Sequence, residues 1–427
     1  KSWHESADGD DRGSGLSKNL PGFYQHFAHD RHFSGFGEDG LFITSSGQDN
    51  DNSGSSRTPP TCNLLLSLRA TWVLEATHGR EIARNFFSPP SVAMAASSSN
   101  SFNRGPIKCV AIVGGTHGNE ANGVALARHL IRHPDEAKRS TFETKVMLSN
   151  HEAIAKNVRY CEEDMNRCFF CKDLVAASLQ TKEAKRAKEI NMILGPKKSS
   201  SPVADLIIDL HNTTANTGVA LMMSPKDELS HAIGSYLASK DDTVRVVNWT
   251  AGKEDYPMLP TIGRHGMTFE VGGVPWGCVD AAQFQQSLTL LMHLLDYVDA
   301  HNKALDAADS DAWKKVLLPT YDAVRTLDYP RYEDGTLAAA CHPHVQNNDF
   351  IPLKKGDPVF LTMEGESIGF EPTEADANVT CFPFFVNEAA YYEKGIAMMI
   401  GHRNEQPVNV LVSVESGEQI VKRQKRS

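Results

Sequence analysis

Two short segments of the sequence carry histidine and acidic residues at spacings that suit a metal ion. The first, residues 114–120 (GGTHGNE), places the imidazole of His117 three positions before the carboxylate of Glu120. The second, residues 209–214 (DLHNTT), contributes His211. Two histidines and one glutamate leave the fourth position of a tetrahedral zinc site open for water, which is typical of catalytic zinc. The sequence therefore predicts one Zn²⁺ per chain, bound by His117, Glu120 and His211.

Each segment alone permits other interpretations. The first could be a glycine-rich phosphate loop or a helix N-terminus with incidental polar groups, although a phosphate loop would carry a lysine after its last glycine and none is present. Asp209 precedes His211 by two positions and is either a hydrogen-bond partner of that imidazole or an acid that faces the core. It is the combination of the two segments that favours a metal site.

Hydrolysis at such a site needs a group that moves a proton from water to the leaving group. Glu270, in residues 268–272 (TFEVG), lies at the end of an apolar predicted strand, where an unpaired carboxylate is costly. We interpret it as the proton-transferring residue. The alternative is a buried ion pair with an arginine.

Residues 159–167 contain two guanidinium groups and an amide that could bind an anion. Arg159, Asn166 and Arg167 lie within nine positions of one another, and guanidinium groups bind carboxylates through two parallel hydrogen bonds. Exposed arginines that contact only solvent are the alternative. The pattern is compatible with a carboxylate-bearing substrate.

The elements that position these residues alternate between strands and helices, which predicts a mainly parallel α/β sheet covered on both faces. Helical spacing places Val124, Leu126, Leu130 and Ile131 on one apolar stripe, and Asp280 is expected to cap a long helix. We predict strands at residues 107–113, 145–148, 206–210, 244–249 and 267–271, and a helix at residues 183–194.

Changes in composition divide the chain into three regions. Residues 1–104 are rich in small polar residues without periodicity and are predicted to be a disordered extension. A transit peptide is the alternative, although such peptides avoid acidic residues and residues 8–11 include three aspartates. We also propose that the native start is Met94. Residues 105–304 form the predicted catalytic domain. Residues 305–427 form a smaller β-rich domain, with strands expected at 358–362, 367–370 and 380–386.

Bulk properties narrow the class of partner and the location. The net charge of −10 argues against binding to nucleic acid. Residues 64–73 are the nearest approach to a membrane span, but polar residues interrupt them, so no membrane insertion is expected. The eight cysteines are too scattered for a disulfide scaffold, which favours the cytoplasm. Cys168 and Cys171 have the spacing of a metal knuckle, but no matching second pair follows.

Together these segments resemble the aspartoacylase and aminoacylase-3 family, which is related to the zinc carboxypeptidases. The resemblance extends from about residue 107 to residue 394, through the segments GGTHGNE, DMNR, DLHNTTAN and VNEAAYYEKG. It implies zinc ligation by His117, Glu120 and His211, and proton transfer by Glu270. It further implies that Arg159 stabilises the oxyanion, and that the substrate carboxylates are held by Asn166, Arg167 and Tyr391.

The resemblance implies that the protein hydrolyses N-acyl amino acids. It also implies that the C-terminal domain narrows the cleft that leads to the zinc, so that small substrates are favoured. Aspartoacylase has an arginine ten positions before its catalytic glutamate, where this sequence has Pro260. This favours an aminoacylase-3-like enzyme for neutral or aromatic side chains. Tyr256 and Lys394 match positions in the family's substrate pocket, and Arg264 could replace the missing arginine. An aspartoacylase, and a catalytically silent zinc protein, are the alternatives. The family also tends towards dimers or higher homo-oligomers.

Overall fold

Three neighbouring parallel strands form the part of the sheet that positions the two proposed metal-binding segments: β1 (Cys109–Gly114), β2 (Glu143–Leu148) and β3 (Leu206–Asn212). β1 pairs with β2 on one side and with β3 on the other. The structure is a computed structural model, and it describes residues 105–249 and 255–412. Every residue of β1 and β3 is buried, as expected for parallel strands that helices cover on both faces.

The sheet continues beyond β3 with strands in both directions. β6 (His265–Val271) lies parallel to β3, and β4 (Val219–Met223) lies antiparallel to β6 and parallel to β5 (Val244–Asn248). In the register of β3 and β6, His211 lies directly beside Glu270. Two residues of the predicted site are therefore brought together by strand pairing.

Helices cover both faces of this sheet. Thr181, Asp227 and Asp280 each accept a hydrogen bond from a backbone N–H in the first turn of a helix, which confirms the cap predicted at Asp280. The six helices in the described residues are α1 (Ala121–Arg132), α2 (His151–Lys156), α3 (Cys171–Val175), α4 (Lys182–Leu194), α5 (Glu228–Ala238) and α6 (Ala281–Asp306). Short 3₁₀ turns occupy Pro134–Ala137, Met165–Arg167, Leu259–Ile262, Ser310–Ala312, Glu374–Asp376 and Ala389–Lys394.

Alternate residues of β1 face two different parts of the core. Val110 and Ile112 pack in a cluster that includes apolar residues of α1, α5 and α6. Cys109, Ala111 and Val113 pack in a second cluster with apolar residues of α4. This alternation follows from the two-residue period of a strand, in which successive side chains point to opposite faces of the sheet.

The C-terminal strands form a smaller sheet and also extend the large one. They are β7 (Trp313–Leu327), β8 (Ala339–Cys341), β9 (Pro358–Thr362), β10 (Ser367–Gly369), β11 (Cys381–Phe384) and β12 (Met398–Leu411). The large sheet has the order β11-β12-β7-β5-β4-β6-β3-β1-β2, and the small sheet has the order β10-β9-β8. β7 pairs in parallel with β5, so the large sheet continues across the predicted domain boundary at residue 304.

The predicted fold class is confirmed: the central sheet is mixed and mainly parallel, helices flank it, and β-rich structure follows. The predicted apolar stripe of α1 is correct for Val124, Leu126 and Leu130, which are buried. It is wrong for Ile131, which is 48% exposed near the end of the helix. The expectations for residues 1–104 and for a start at Met94 lie outside the described residues. In the described ranges, no helix combines the length and the apolar character that a membrane span requires.

Candidate active site

The loop after β1 is shaped by two glycines. Gly115 has a φ of 76°, in the left-handed region that residues with a side chain rarely adopt. A Cβ atom on Gly118 would lie 2.1 Å from the carbonyl carbon of Ala153 in α2, so only glycine allows this close approach. The loop therefore turns sharply and presents His117 and then Glu120, which immediately precedes α1.

Three side chains converge at the carboxyl ends of β1 and β3. One nitrogen or oxygen atom of each of His117, Glu120 and His211 lies within 4.8 Å of the others, and all three residues are buried. The Nδ1 atom of His117 lies 2.6 Å from Glu120 Oε1, and the Nδ1 atom of His211 lies 2.7 Å from Glu120 Oε2. Two imidazole nitrogens and a carboxylate at one point fit a cation such as zinc.

Each histidine uses its second nitrogen to contact another acidic residue. His117 Nε2 lies 3.0 Å from Asp164 Oδ1, and His211 Nε2 lies 2.8 Å from Asp209 Oδ2. Thr116 donates a hydrogen bond of 2.7 Å to the other oxygen of Asp209. Of the two interpretations of Asp209, the geometry supports the hydrogen-bond partner. Such contacts fix the ring orientation and the tautomer of metal-binding histidines.

Arg159 lies against the carboxylates of this cluster. Its Nη1 atom is 3.0 Å from Glu120 Oε1, and its Nη2 atom is 3.6 Å from Asp164 Oδ2. Burial would lower the pKa of Arg159, but Asp164 and Glu120 outweigh it and raise that pKa above its ordinary value. Arg159 therefore keeps a positive charge beside the three converging residues.

Glu270 lies at the end of β6, next to His211. Among the described residues, no lysine or arginine nitrogen lies within 4.0 Å of its carboxylate, so the alternative of a buried ion pair with an arginine is not supported. Burial raises the pKa of Glu270 above its ordinary value, His211 opposes this, and Glu120 and Glu388 add to it. A carboxylate whose pKa is raised towards neutrality is suited to accept and release a proton.

A small cavity of about 50 Å³ joins most of the predicted site residues. Asn166 contributes its amide, held by a 3.1 Å hydrogen bond from the Leu259 N–H to Asn166 Oδ1. Burial raises the pKa of the Tyr391 hydroxyl further above neutral pH, so this group can donate a hydrogen bond. The predicted site residues that line this cavity are His117, Glu120, Arg159, Asn166, Arg167, His211, Glu270 and Tyr391.

Three predicted substrate-binding residues, Tyr256, Arg264 and Lys394, do not line the small cavity. Tyr256 and Arg264 line a larger cavity of about 370 Å³, and Arg264 is paired with Asp205 at 3.0 Å. Lys394 Nζ lies 3.6 Å from Asp164 Oδ2 and 5.5 Å from the ring centre of Tyr391. Burial lowers the pKa of Lys394 to about 8, although Asp164 opposes this. Cys168 and Cys171 are free thiols with separate partners, Asp164 and Asp255.

Two acidic residues at this site have no role in the sequence-based interpretation. Asp164 contacts both His117 and Arg159, and it lies in the DMNR segment beside Asn166 and Arg167. Glu388 lines the small cavity and accepts hydrogen bonds from the Thr214 N–H and hydroxyl. The presence of Asp164 and Glu388 in segments that match the family was the only sequence signal for their roles. The local sequence does not specify which residues they contact.

Comparison with known proteins decides the family. Residues 106–298 match the model of the succinylglutamate desuccinylase/aspartoacylase catalytic domain, and residues 318–403 match the barrel-sandwich hybrid domain of the same family. A "Probable aspartoacylase" of Nostoc sp. is 38% identical over 293 residues, which cover 69% of this chain and 95% of that relative. The chain belongs to the succinylglutamate desuccinylase/aspartoacylase family. The family resemblance predicted from the sequence is therefore confirmed.

Other members of the aspartoacylase family agree in sequence and in fold. A human "N-acyl-aromatic-L-amino acid amidohydrolase (carboxylate-forming)" is 35% identical over 301 residues, which cover 69% of this chain and 91% of that relative. The crystal structure of murine aminoacylase 3 superposes with a TM-score of 0.66 at 32% identity, over 72% of this chain and all of that chain. The prediction of an enzyme of the aminoacylase and aspartoacylase type is confirmed at the level of the family.

Proposed function

We propose that this protein hydrolyses the amide bond of N-acyl amino acids, typically N-acetyl amino acids, and releases the carboxylate and the free amino acid. One observation supports this above all. A single cavity is lined by the three converging residues, by Glu270 with its raised pKa, and by Arg159 and Tyr391. A relative named "Probable aspartoacylase" and one named "N-acyl-aromatic-L-amino acid amidohydrolase (carboxylate-forming)" align with this chain over 95% and 91% of their own lengths.

We infer that the cation is Zn²⁺ and that one ion binds per chain, between His117, Glu120 and His211. Imidazole nitrogen and carboxylate oxygen are the common ligands of catalytic zinc, and the three donors leave room for one more. A zinc ion here would supply an activated water nucleophile at neutral pH and would polarise the substrate carbonyl. Asp164 and Asp209 hold the two imidazoles in the orientation that this requires.

Glu270 and Arg159 then have separate tasks in breaking the C–N bond. Glu270 takes the proton from the attacking water and passes it to the departing nitrogen, so that the acyl group leaves as a carboxylate and the amino acid as an amine. Arg159 donates hydrogen bonds to the oxygen that gains negative charge as the carbonyl carbon becomes tetrahedral. Both side chains line the small cavity.

The carboxylate of the amino acid would bind in the same cavity. Arg167 supplies a guanidinium group, and Asn166 and Tyr391 supply an amide and a hydroxyl. Lys394 contributes positive charge from beside Tyr391. Tyr391 lies in the 3₁₀ turn Ala389–Lys394 of the C-terminal region, so we assign residues 305–427 as a domain that caps the catalytic domain, residues 105–304. Such a cap favours small substrates over peptides.

The larger cavity supports a neutral or aromatic substrate side chain. It shares Met222, Trp249, Met258 and Thr268 with the small cavity, so the two spaces adjoin. Pro260 lines it where aspartoacylase has an arginine, and Arg264 is engaged with Asp205. Met222, Met258 and Trp249 are apolar surfaces suited to an aromatic ring. Cleavage of N-acetylaspartate is the second candidate, because the curated relatives of this chain include aspartoacylases.

A panel of N-acetyl amino acids tests the function. Zinc-loaded protein should release free amine from N-acetylphenylalanine faster than from N-acetylaspartate, measured as kcat/KM. The reverse order would replace the aromatic preference with the aspartate alternative. If no amine is released from any member of the panel while the same compounds raise the unfolding temperature, the protein is a zinc-containing binding protein and not an enzyme.

Two further expectations concern where the protein works and how it assembles. The scattered free thiols support a reducing compartment, which we take to be the cytoplasm. We also expect a homodimer or a higher homo-oligomer. Sedimentation of the purified protein would test the assembly, and fluorescence microscopy of the tagged full chain would test the location.

A further inference from the structure

A second group of metal-binding residue types lies in the C-terminal region and shares no residue with the proposed active site. Asp376, Cys381 and His402 each offer one ligand atom, and these atoms lie within 4.8 Å of one another. The Asp376 and Cys381 residues are 4% and 2% exposed. The side chain of His402 is 14% exposed, so the group can be reached from solvent. No step of the proposed hydrolysis uses any of the three.

Strand pairing and a tight turn bring these residues together. Cys381 in β11 and His402 in β12 are directly paired across the antiparallel ladder, so their side chains lie on the same face. Asp376 ends the 3₁₀ turn Glu374–Asp376 in the connection between β10 and β11. Its carboxylate accepts hydrogen bonds from the N–H and the hydroxyl of Thr373. Strand pairing therefore places two of the three residues side by side, and the 3₁₀ turn with its hydrogen bonds to Thr373 places the third.

The two oxygens of Asp376 have different surroundings. Oδ2 receives the hydrogen bonds from Thr373 and two more from the guanidinium group of Arg325, at 2.8 and 3.2 Å. Oδ1 faces His402, whose Nε2 atom lies 2.8 Å away. Carboxylates that bind a metal through one oxygen are commonly hydrogen-bonded through the other. Arg325 and Thr373 thus fix the carboxylate through Oδ2 and leave Oδ1 directed at the imidazole of His402.

The contact between carboxylate and imidazole in this group resembles the one in the proposed catalytic site. In both, a carboxylate oxygen and an imidazole nitrogen are less than 3 Å apart, at 2.8 Å here and at 2.6 Å between His117 and Glu120. The difference is the third ligand, which is a sulfur atom. A thiolate and an imidazole favour zinc and cobalt over magnesium or calcium. The carboxylate and the thiolate together carry two negative charges, of which Arg325 offsets one.

We propose that Asp376 Oδ1, Cys381 Sγ and His402 Nε2 form a second site for a divalent cation of the Zn²⁺ or Co²⁺ class. Binding requires that Cys381 lose its proton to solvent, and the metal–sulfur bond replaces the S–H bond. Burial, together with Asp376, raises the pKa of the Cys381 thiol to about 12, so a free thiolate does not form at neutral pH without the metal. The bound ion would join the 3₁₀ turn to β11 and β12, and its role would be structural.

Cobalt substitution tests this site separately from the active site. A cobalt ion bound by a thiolate has a near-ultraviolet charge-transfer absorption, which a site of imidazole and carboxylate ligands lacks. We expect this absorption in the Co²⁺-loaded full chain. We also expect it in the His117→Ala variant, where only this site remains and the absorption should saturate at one equivalent of metal per chain. We expect Cys381→Ser to abolish it. We expect His402→Gln to shift half-saturation to at least ~10-fold more cobalt, because losing a direct ligand should cost at least as much as losing an outer-shell partner.

Cys341→Ser is the matched control, because Cys341 is a buried cysteine of the same hydrophobic cluster and belongs to neither candidate metal group. That variant should keep the absorption. Cys381→Ser should lower the zinc content of the purified protein from two ions per chain to one while hydrolysis is retained. An absence of thiolate absorption from the cobalt-loaded wild type would overturn the proposal, and so would its persistence in Cys381→Ser. Comparing the unfolding temperatures of the metal-free proteins distinguishes loss of the site from misfolding.

Discussion

The carboxylate of Glu388 accepts hydrogen bonds from both the backbone N–H and the hydroxyl of Thr214, at 2.7 and 2.9 Å, although the two residues are 174 positions apart. The same oxygen also accepts hydrogen bonds from the Thr213 hydroxyl and the Ala215 N–H. Residues 213–215 directly follow β3, which ends one residue after His211. Glu388 therefore fixes the loop behind the proposed metal site from the C-terminal region.

Glu388→Gln should lower the free energy of unfolding by about 2–3 kcal/mol, because the amide replaces a buried charge that accepts several hydrogen bonds. Turnover should fall as well, since the loop after His211 loses its anchor. Denaturant unfolding and the rate of amine release measure the two effects. Glu393→Gln is the control, since Glu393 is exposed in the same 3₁₀ turn. Equal stability of the two variants would mean that Glu388 does not anchor the loop.

Glu270→Gln tests proton transfer. The amide has nearly the shape of the carboxylate but cannot carry the proton, so kcat should fall by roughly 10² to 10⁴ while zinc content stays at the wild-type level. KM should change little, because Arg167 and Asn166 are untouched. Steady-state kinetics together with metal analysis checks this. A rate close to that of the wild type would exclude Glu270 as the proton carrier.

Asp164→Asn tests the support of the metal ligands. The substitution removes the negative charge that faces His117 and Arg159, so zinc affinity should fall by about 10- to 100-fold. Competition for zinc with a chromophoric chelator measures the affinity, and removal of zinc by the chelator should abolish hydrolysis in both proteins. Asp173→Asn, on the short helix α3, is the control and should bind zinc as the wild type does. Unchanged affinity in Asp164→Asn would contradict the assigned role.

Sequence patterns anticipate the parts of this protein that depend on neighbours along the chain. The apolar runs of β1, β3 and β6 are fully local signals, and the polar residues at their ends are brought together because parallel strands end at one edge of the sheet. The prediction that His117, Glu120 and His211 meet follows from this rule. The cap at Asp280 is likewise local, since it depends only on the residues of the first helical turn.

Contacts between distant segments could not be predicted in this way. Arg264 is an example, because its ion pair with Asp205 depends on how the starts of β6 and β3 align. No local sequence pattern predicts that alignment. The addition of β7 and β12 to the large sheet is another, because strand pairing is set by the whole topology. Glu388 and Asp164 were missed for the same reason. An acidic residue in a loop has no periodicity that reveals its partner.

Asp349 should make stability depend on pH between about 4 and 7. Its Oδ1 atom accepts a hydrogen bond from the Val386 N–H at 3.2 Å, and Oδ2 is buried without a hydrogen-bond partner in the described residues. Burial raises the pKa of Asp349 to about 7 in the folded protein, compared with about 3.9 in an unfolded chain. The folded state therefore keeps a proton that the unfolded state releases, so this contribution to stability is complete below about pH 4 and is lost as the pH rises to about 7.

Relative to Asp349→Asn, the wild type should lose up to about 1.4 kcal/mol of unfolding free energy per pH unit in that range. Denaturant unfolding at several pH values checks this, with Glu333→Gln at an exposed position as the control. Parallel pH profiles for Asp349→Asn and the wild type would show that Asp349 titrates equally in both states.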